Sequence, residues 1–303
     1  ATRVQVNSAG TSLTAVTPAG AVGLATVKVT TAGATATRAG AFRYFDSSWY
    51  TVLEQTPSAA VVPNATVRAN IIATGFPWRV RDNSSGIEML LIPGGTFTMG
   101  EEGWILPLHT VTLTKAFYLG KTEVTQAQWQ AKIGYNPSAF SGNANNPVEQ
   151  VSWNDIAGFN SATGLRLPSD AEWEYACRGG TTTAFHSMPD YPNGTNDDSL
   201  LGNIAWYYNN AANTTHAVAG KAANAFGMYD MSGNVWEWCN DWFGDYDLKE
   251  NKDPQGVSNG ERKVVRGGSF FLNESFSRSF TRGDGDAPTI RNNYDGLRLV
   301  RSN

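Results

Sequence analysis

Residues 267–301, GGSFFLNESFSRSFTRGDGDAPTIRNNYDGLRLVR, open on a tight Gly-Gly-Ser and close on the orderly Gly296-Leu-Arg-Leu-Val-Arg. Between these ends no side-chain period survives: Phe, Leu, Asn, Glu, Ser, Asp, Thr and Tyr follow one another without repeat. An amphipathic helix would return an apolar residue every three or four positions, and a half-buried strand every second one. Neither pattern is present. The stretch reads as an irregular surface segment fixed between two stiff β bookends. Arg266 and Arg298 are the planar, multi-donor groups suited to tie those bookends to neighbouring strands and carbonyls.

The surrounding chain can support such a scaffold. Its 303 residues suffice for one large or two ordinary domains. With 41% hydrophobic and 17% charged residues it reads as globular rather than disordered. A net charge of −4 argues against an electrostatic nucleic-acid binder, which needs a basic face. No apolar run approaches the roughly 20 residues that span a bilayer. The 31 Gly alongside 10 Trp, 11 Tyr and 14 Phe describe many loops pinned by large rings. His109, His186 and His216 show no metal-ligand spacing. Cys177 and Cys239 allow one bridge or two buried thiols, and the spacing does not choose between them.

Element signals run along the chain in a mixed order. Residues 1–46 carry short Thr/Val/Ala-rich alternating runs with Gly and Pro punctuation, as in antiparallel strands. Residues 47–77 read as a connector holding a short helix, NATVRANIIATG, with Asn64 as N-cap and Gly75 as its stop. A second domain is expected over 78–303. In it IEMLLIPGGTFTMG (87–100) predicts strand, turn, strand. Helices are predicted from Thr125, from Ser152 with Asp155 completing a capping box, and from Ser169 to the Gly179-Gly180 stop. Long Asn/Gly-rich loops follow. The fold class is α+β, with small antiparallel sheets, two to three helices and long loops, preceded by a small all-β segment.

Several long motifs in 87–301 resemble the formylglycine-generating-enzyme/sulfatase-modifying-factor family: IPGGTFTMG, KTEVTQAQW, PVEQVSWNDIAGF, RLPSDAEWEYACRGG, NAFGMYDMSGNVWEWCNDW, VVRGGSF and GLRLVR. The resemblance implies a C-type-lectin-like fold. In catalytic members two cysteines after the Gly-Gly-Ser bind copper(I), a soft ion that thiolate suits. Carried onto this chain those positions are Leu272 and Ser277, so no enzyme is expected; a copper-independent relative or an inactive enzyme subunit is the alternative. No P-loop, G-x-S-x-G or H-E-x-x-H motif offers another chemistry. Asp284, Asp286 and Asp295 read as solvated loop acids rather than a catalytic pair.

The same region is similar to the variable proteins of diversity-generating retroelements, whose final strands and loops form an adjustable binding face. That resemblance implies a receptor- or adhesin-like role toward a macromolecular, protein ligand, with a variable region at 266–301. The expected ligand-binding residues are Phe271, Leu272, Asn273, Ser275, Ser277, Phe280, Thr281, Gly283, Asp284, Asp286, Thr289, Asn292, Asn293 and Tyr294. Phe276 is a further aromatic anchor, whereas Phe270 reads as core. The other phenylalanines divide between core and surface readings.

The family also implies a calcium site in the NVWEW turn, at Asp230, the carbonyls of Gly233 and Val235, and Glu237, a set of hard oxygen donors. The alternative is a metal-free loop in which Asp230 and Glu237 accept backbone N–H groups. A second family calcium site would start at Asn203-Ile204, but no carboxylate partner can be placed for it. No cofactor is otherwise required. Residues 12–45 resemble the second half of an IPT/TIG immunoglobulin-like domain, common in extracellular modular proteins. Together these imply a cell-surface or secreted protein, anchored through an N-terminal signal absent from a chain that starts at Ala1.

Overall fold

The computed structural model describes residues 2–6, 13–16, 23–30, 35–44, 46–101 and 107–302, and the chain divides into two compact units, Ala1–Trp49 and Tyr50–Asn303. In the first unit the alternating runs form two antiparallel ladders. One pairs β1 (Thr2–Val6) with β2 (Leu13–Val16), and the other pairs β3 (Gly23–Thr30) with β4 (Thr35–Tyr44). The rest of the expected immunoglobulin-like segment lies outside the described residues.

The second unit begins with β5 (Tyr50–Glu54), so residues read as a connector supply an edge strand. It continues through β6 (Arg79–Asp82), β7 (Glu88–Ile92), β8 (Gly95–Met99), β9 (His109–Leu113) and β10 (Phe117–Gly120). After three helices come β11 (Trp236–Trp242), β12 (Lys263–Arg266), and the short β13 (Arg282–Gly283), β14 (Asp295–Gly296) and β15 (Val300–Ser302). Two sheets matter most. An antiparallel five-stranded sheet runs β15-β10-β7-β6-β5, and a four-stranded sheet runs β13-β12-β11-β14, with β14 parallel to β11. The irregular C-terminal stretch thus leaves one sheet at β12, returns to it at β13 and β14, and ends in the other.

Helix ends follow local side-chain chemistry. α1 (Ala65–Ala73) begins where Asn64 accepts from Thr66 N and Val67 N, and α2 (Gln126–Ile133) begins at a Thr125/Gln128 capping box. The same reciprocal device starts α3 (Trp153–Thr163) with Ser152/Asp155 and α4 (Asp170–Arg178) with Ser169/Glu172. Gly134, Gly164 and Gly179 close the last three in the left-handed region that glycine enters without a Cβ penalty. Cys177 and Cys239 are buried free thiols, and burial pushes the Cys177 thiol up to about 12.

Two fully buried arginines hold these layers together. Arg298, just before β15, grips both carboxylate oxygens of Glu237 in β11 at 2.7–3.1 Å. It also donates to Gly120 O in β10 at 2.8 Å and to Tyr229 O at 2.9 Å. One guanidinium therefore ties the two sheets and the NVWEW turn. Arg266 in β12 bonds Asp170 at 2.5 Å and Glu174 at 2.9 Å on α4, and Thr281 O at 3.1 Å in the irregular stretch. Removing one partner of such a pair strands the other charge in the interior. Arg298→Met should cost about 3–5 kcal/mol in urea unfolding. Adding Glu237→Gln to that variant should recover part of the loss, and a single-variant cost near zero would mean the pair does not hold the sheets.

A candidate binding groove on the C-terminal face

The path of residues 267–296 is set mainly by backbone contacts. Gly268 has φ of +77°, and a Cβ there would lie 2.9 Å from Phe276 O and 2.7 Å from Ser277 Oγ, so the tight entry demands glycine. Phe270 is buried against Phe140, edge to face at 5.2 Å, and its N–H donates to Asn234 O at 2.8 Å. Asn273 caps a short 3-10 turn, Glu274–Ser277, by accepting from Ser275 N and Oγ. The outgoing limb bends at Gly285, where φ is +47° and a Cβ would sit 1.7 Å from Lys263 O. The chain is then stitched to α3. Asn154 N donates to Pro288 O at 3.0 Å, Gln150 N to Asn292 O at 2.9 Å, and Arg291 clasps both oxygens of Asp155 at 2.6 Å.

A groove of about 310 Å³ opens between the two limbs. Its walls are aromatic. Phe271 leans on Tyr294 with ring centroids 4.8 Å apart, and Phe276 meets Trp236 edge-on at 6.3 Å. Acids complete the lining at Asp284, Asp286 and Asp295. Asp284 is exposed and pairs with Arg262 at 2.8 Å, an arrangement that contributes little to stability. Asp286 and Asp295 share one donor, Asn292 Nδ2, at 2.5 and 2.8 Å. Burial pushes the Asp295 carboxyl up to about 7, against the Asn292 hydrogen bond, and the charge of Asp286 adds to the rise.

Of the residues expected from sequence, Phe271, Leu272, Gly283, Asp284, Asp286 and Tyr294 line this groove. Others shape it without facing it. Asn273 and Ser275 make the 3-10 turn, Thr281 Oγ1 donates to Ser275 O at 2.8 Å, and Asn292 bridges the acids. Thr289 is exposed and Asn293 half-buried, and neither lines the groove. Three expectations for this stretch are corrected. Ser277 is fully buried, with its carbonyl accepting from Ser232 Oγ at 2.9 Å. Phe280 is sealed into a core cluster with Phe185, Leu201 and Tyr207. Asp295 is also no solvated loop acid, being only 2% exposed. Sequence reasoning missed Trp236, Arg262, Val265, Gly285 and Asp295 as lining residues. Trp236 is buried, at 6% exposed, as its neighbour Trp238 is, and still borders the groove, while Arg262 and Val265 precede the expected boundary at 266.

The NVWEW turn does not fit calcium. The Glu237 carboxylate takes three contacts from Arg298 and a 2.6 Å hydrogen bond from Trp173 Nε1, which fill its acceptor directions. Asp230 instead accepts from Ala219 N at 2.6 Å. Among the described residues no group of three or more His, Cys, Asp or Glu is arranged to hold a metal ion. The histidines have structural roles: His216 stacks on Trp206 at 3.9 Å, and His186 is buried, its ring pushed down to about 4 by desolvation.

These features define a C-type-lectin-like domain that carries an aromatic, acidic groove between its last strands. The chain belongs to the sulfatase-modifying factor enzyme 1-like domain family, matching over residues 76–303. It is 35% identical over 164 residues to the formylglycine-generating enzyme of Streptomyces coelicolor, an alignment that spans 52% of each chain. Among solved structures it is similar to variable protein 1 of Treponema denticola, with 29% identity, 72% of this chain and 95% of that one covered, and a TM-score of 0.65. It is also similar to PvdO of Pseudomonas aeruginosa, with 27% identity, 74% and 98% covered, and a TM-score of 0.63. The family, the fold and the likeness to a variable protein agree with the sequence motifs. Among the described residues no helix is long and apolar enough to cross a membrane.

Asp295 gives the groove a pH signature. Its ordinary value is 3.8, so between about 4 and about 7 the folded chain holds a proton that the unfolded chain has released. Stability from this group therefore falls as pH rises through that window. Asp295→Asn, which stays neutral, should raise the melting temperature relative to the parent at pH 8, keep less than half of that advantage at pH 5 and lose it near pH 4. An advantage of equal size at all three pH values would show that Asp295 is not buried as a charge.

Proposed function

We propose that this domain is a binding protein, receptor- or adhesin-like, that recognises a macromolecular partner through the face formed by residues 262–295. The observation that carries the reading is the division of labour along that stretch. Its backbone is fixed by Arg266, by the left-handed glycines and by the stitches to α3, while Phe271, Leu272, Phe276 and Asp284 project from it without supporting the fold. A rigid frame with exchangeable aromatic and polar side chains suits protein recognition. The likeness to variable protein 1 of Treponema denticola supports the reading, including diversification of these positions by a retroelement and display at a cell surface or after secretion.

The 35% identity to a formylglycine-generating enzyme favours a second reading, turnover of a thiol peptide. Leu272 and Ser277 weigh against it, since a hydrocarbon and a buried hydroxyl replace soft ligands. The purified chain, supplied with copper(I), oxygen and a cysteine-containing peptide, should give no aldehyde product; aldehyde formation would replace the binding reading with the enzymatic one.

A display library tests the face itself. Randomising Phe271, Leu272, Phe276, Asp284, Thr289 and Asn293 together should yield variants selectable against a chosen folded protein such as lysozyme. Most library members should melt within a few degrees of the parent, because surface substitutions usually fall within about 0.5 kcal/mol. Widespread loss of folding would overturn the proposal.

A further inference from the structure

Building on the recognition face proposed above, we infer that its groove selects a cationic side chain, a lysine ammonium or an arginine guanidinium, displayed by a protein partner. The walls supply the first argument. Trp236, Phe271, Phe276 and Tyr294 present four aromatic rings around a space of about 310 Å³. Ring faces attract cations, and the long stems of lysine and arginine cover apolar wall while the charged head reaches past it.

The acids supply the second, independent argument. Asp295 is 2% exposed, lines the groove, and accepts one hydrogen bond, from Asn292 at Oδ2; no donor among the described residues reaches its Oδ1. Asp286 takes its side-chain hydrogen bond from the same amide. Neither acid forms an ion pair among the described residues, and the nearby cations are engaged elsewhere. Arg262 is bound to Asp284 at 2.8 Å. Lys263 lies over the Trp153 and Trp242 rings and donates to Asn240 O. Arg282 is held by Asp170 at 2.8 Å. The buried Asp295 thus lacks the counter-charge that buried acids ordinarily have, and the half-buried Asp286 beside it supplies none. An entering ammonium or guanidinium supplies it. An anion would meet the two acids head-on, and an apolar side chain would leave Asp295 desolvated and unpaired.

The charges that face Asp295 across the groove are Asp286, Asp284 with its partner Arg262, and the Tyr294 phenol. Burial, helped by the two acids Asp295 and Asp286, holds that phenol above its ordinary value, so it stays neutral and offers its ring. A cation bound here draws the Asp295 proton off, so affinity for it rises with pH through about 7.

Proton–nitrogen NMR titration of the whole chain tests the inference, with the Trp236 indole N–H and the Gly283 and Gly285 amides as reporters. The probes are the methylamides of Nα-acetyl-lysine, Nα-acetyl-arginine, Nα-acetyl-norleucine and Nα-acetyl-glutamate. At pH 7.5 both cationic probes should bind at least about fivefold more tightly than norleucine, and glutamate should not shift the reporters. Asp286→Asn with Asp295→Asn should flatten that preference, with folding checked by the unchanged indole signals of the remaining tryptophans. Equal binding of norleucine, a preference for glutamate, a cation preference that survives the double variant, or silence from every probe would each overturn the inference. None of these outcomes decides the recognition face, which stands or falls with the display library.

Discussion

The architecture of the second unit depends on keeping two guanidinium groups charged and satisfied inside it. Arg298 and Arg266 are both fully buried, and each meets carboxylates and carbonyls from several separate segments. Burying a charge is tolerable only when its donors are filled. That requirement fixes the spacing of β10, β11, β12 and α4 more tightly than apolar packing alone, because a guanidinium fork accepts few geometries. The NVWEW turn is organised by the same demand. Glu237 serves as the counter-ion of Arg298, and this role uses the oxygens that a calcium ion would need.

The consequence for the C-terminal face is a segregation of roles by atom type. Arg266 reaches the irregular stretch through the Thr281 carbonyl, α3 through the Pro288 carbonyl, Gln150 just before α3 through the Asn292 carbonyl, and the NVWEW turn through the Phe270 amide. Backbone groups are common to all residues, so these tethers do not depend on which side chains follow. Side chains fixed within the stretch include the buried Phe270, Ser277 and Phe280, and Arg282 and Arg291, which are held by Asp170 and Asp155. The groove is lined partly by buried residues of the frame, Trp236, Val265 and Asp295, and partly by more accessible ones, Phe271, Leu272, Phe276 and Asp284.

This segregation also explains what was legible in the sequence. Helix starts at Asn64, Thr125, Ser152 and Ser169 were readable because capping is local chemistry between residues two or three apart. The bookends Arg266 and Arg298 were readable as tying groups, though not their partners, which come from distant segments such as Asp170 and Glu237. Inside the irregular stretch the sequence offers no period, so inward and outward residues could not be sorted. Phe276 and Phe280 look equivalent on paper, yet one is exposed at 40% and the other packs on Phe185. Phe276 lies within a 3-10 turn capped by Asn273 and Phe280 lies beyond its end, and a turn of that kind leaves no repeating trace. Trp236 escaped for a related reason. Alternation along β11 puts Trp236 and Trp238 on one face, both buried, so nothing local marks Trp236 as the one that borders the groove.

The acids of the groove follow from its construction as well. Gly285 is compelled by the close approach to Lys263 O, and it turns the chain so that Asp284 and Asp286 flank the bend on the groove side. β14 then returns alongside β11 and brings Asp295 opposite Trp236. A carboxyl placed there by strand pairing is almost wholly buried, and among the described residues its side-chain donor is one amide shared with Asp286. The fold itself therefore creates an electrostatic vacancy under aromatic walls. Changing the surrounding wall residues would alter the shape of what fits, whereas the sign of the charge the groove favours is set by the backbone path.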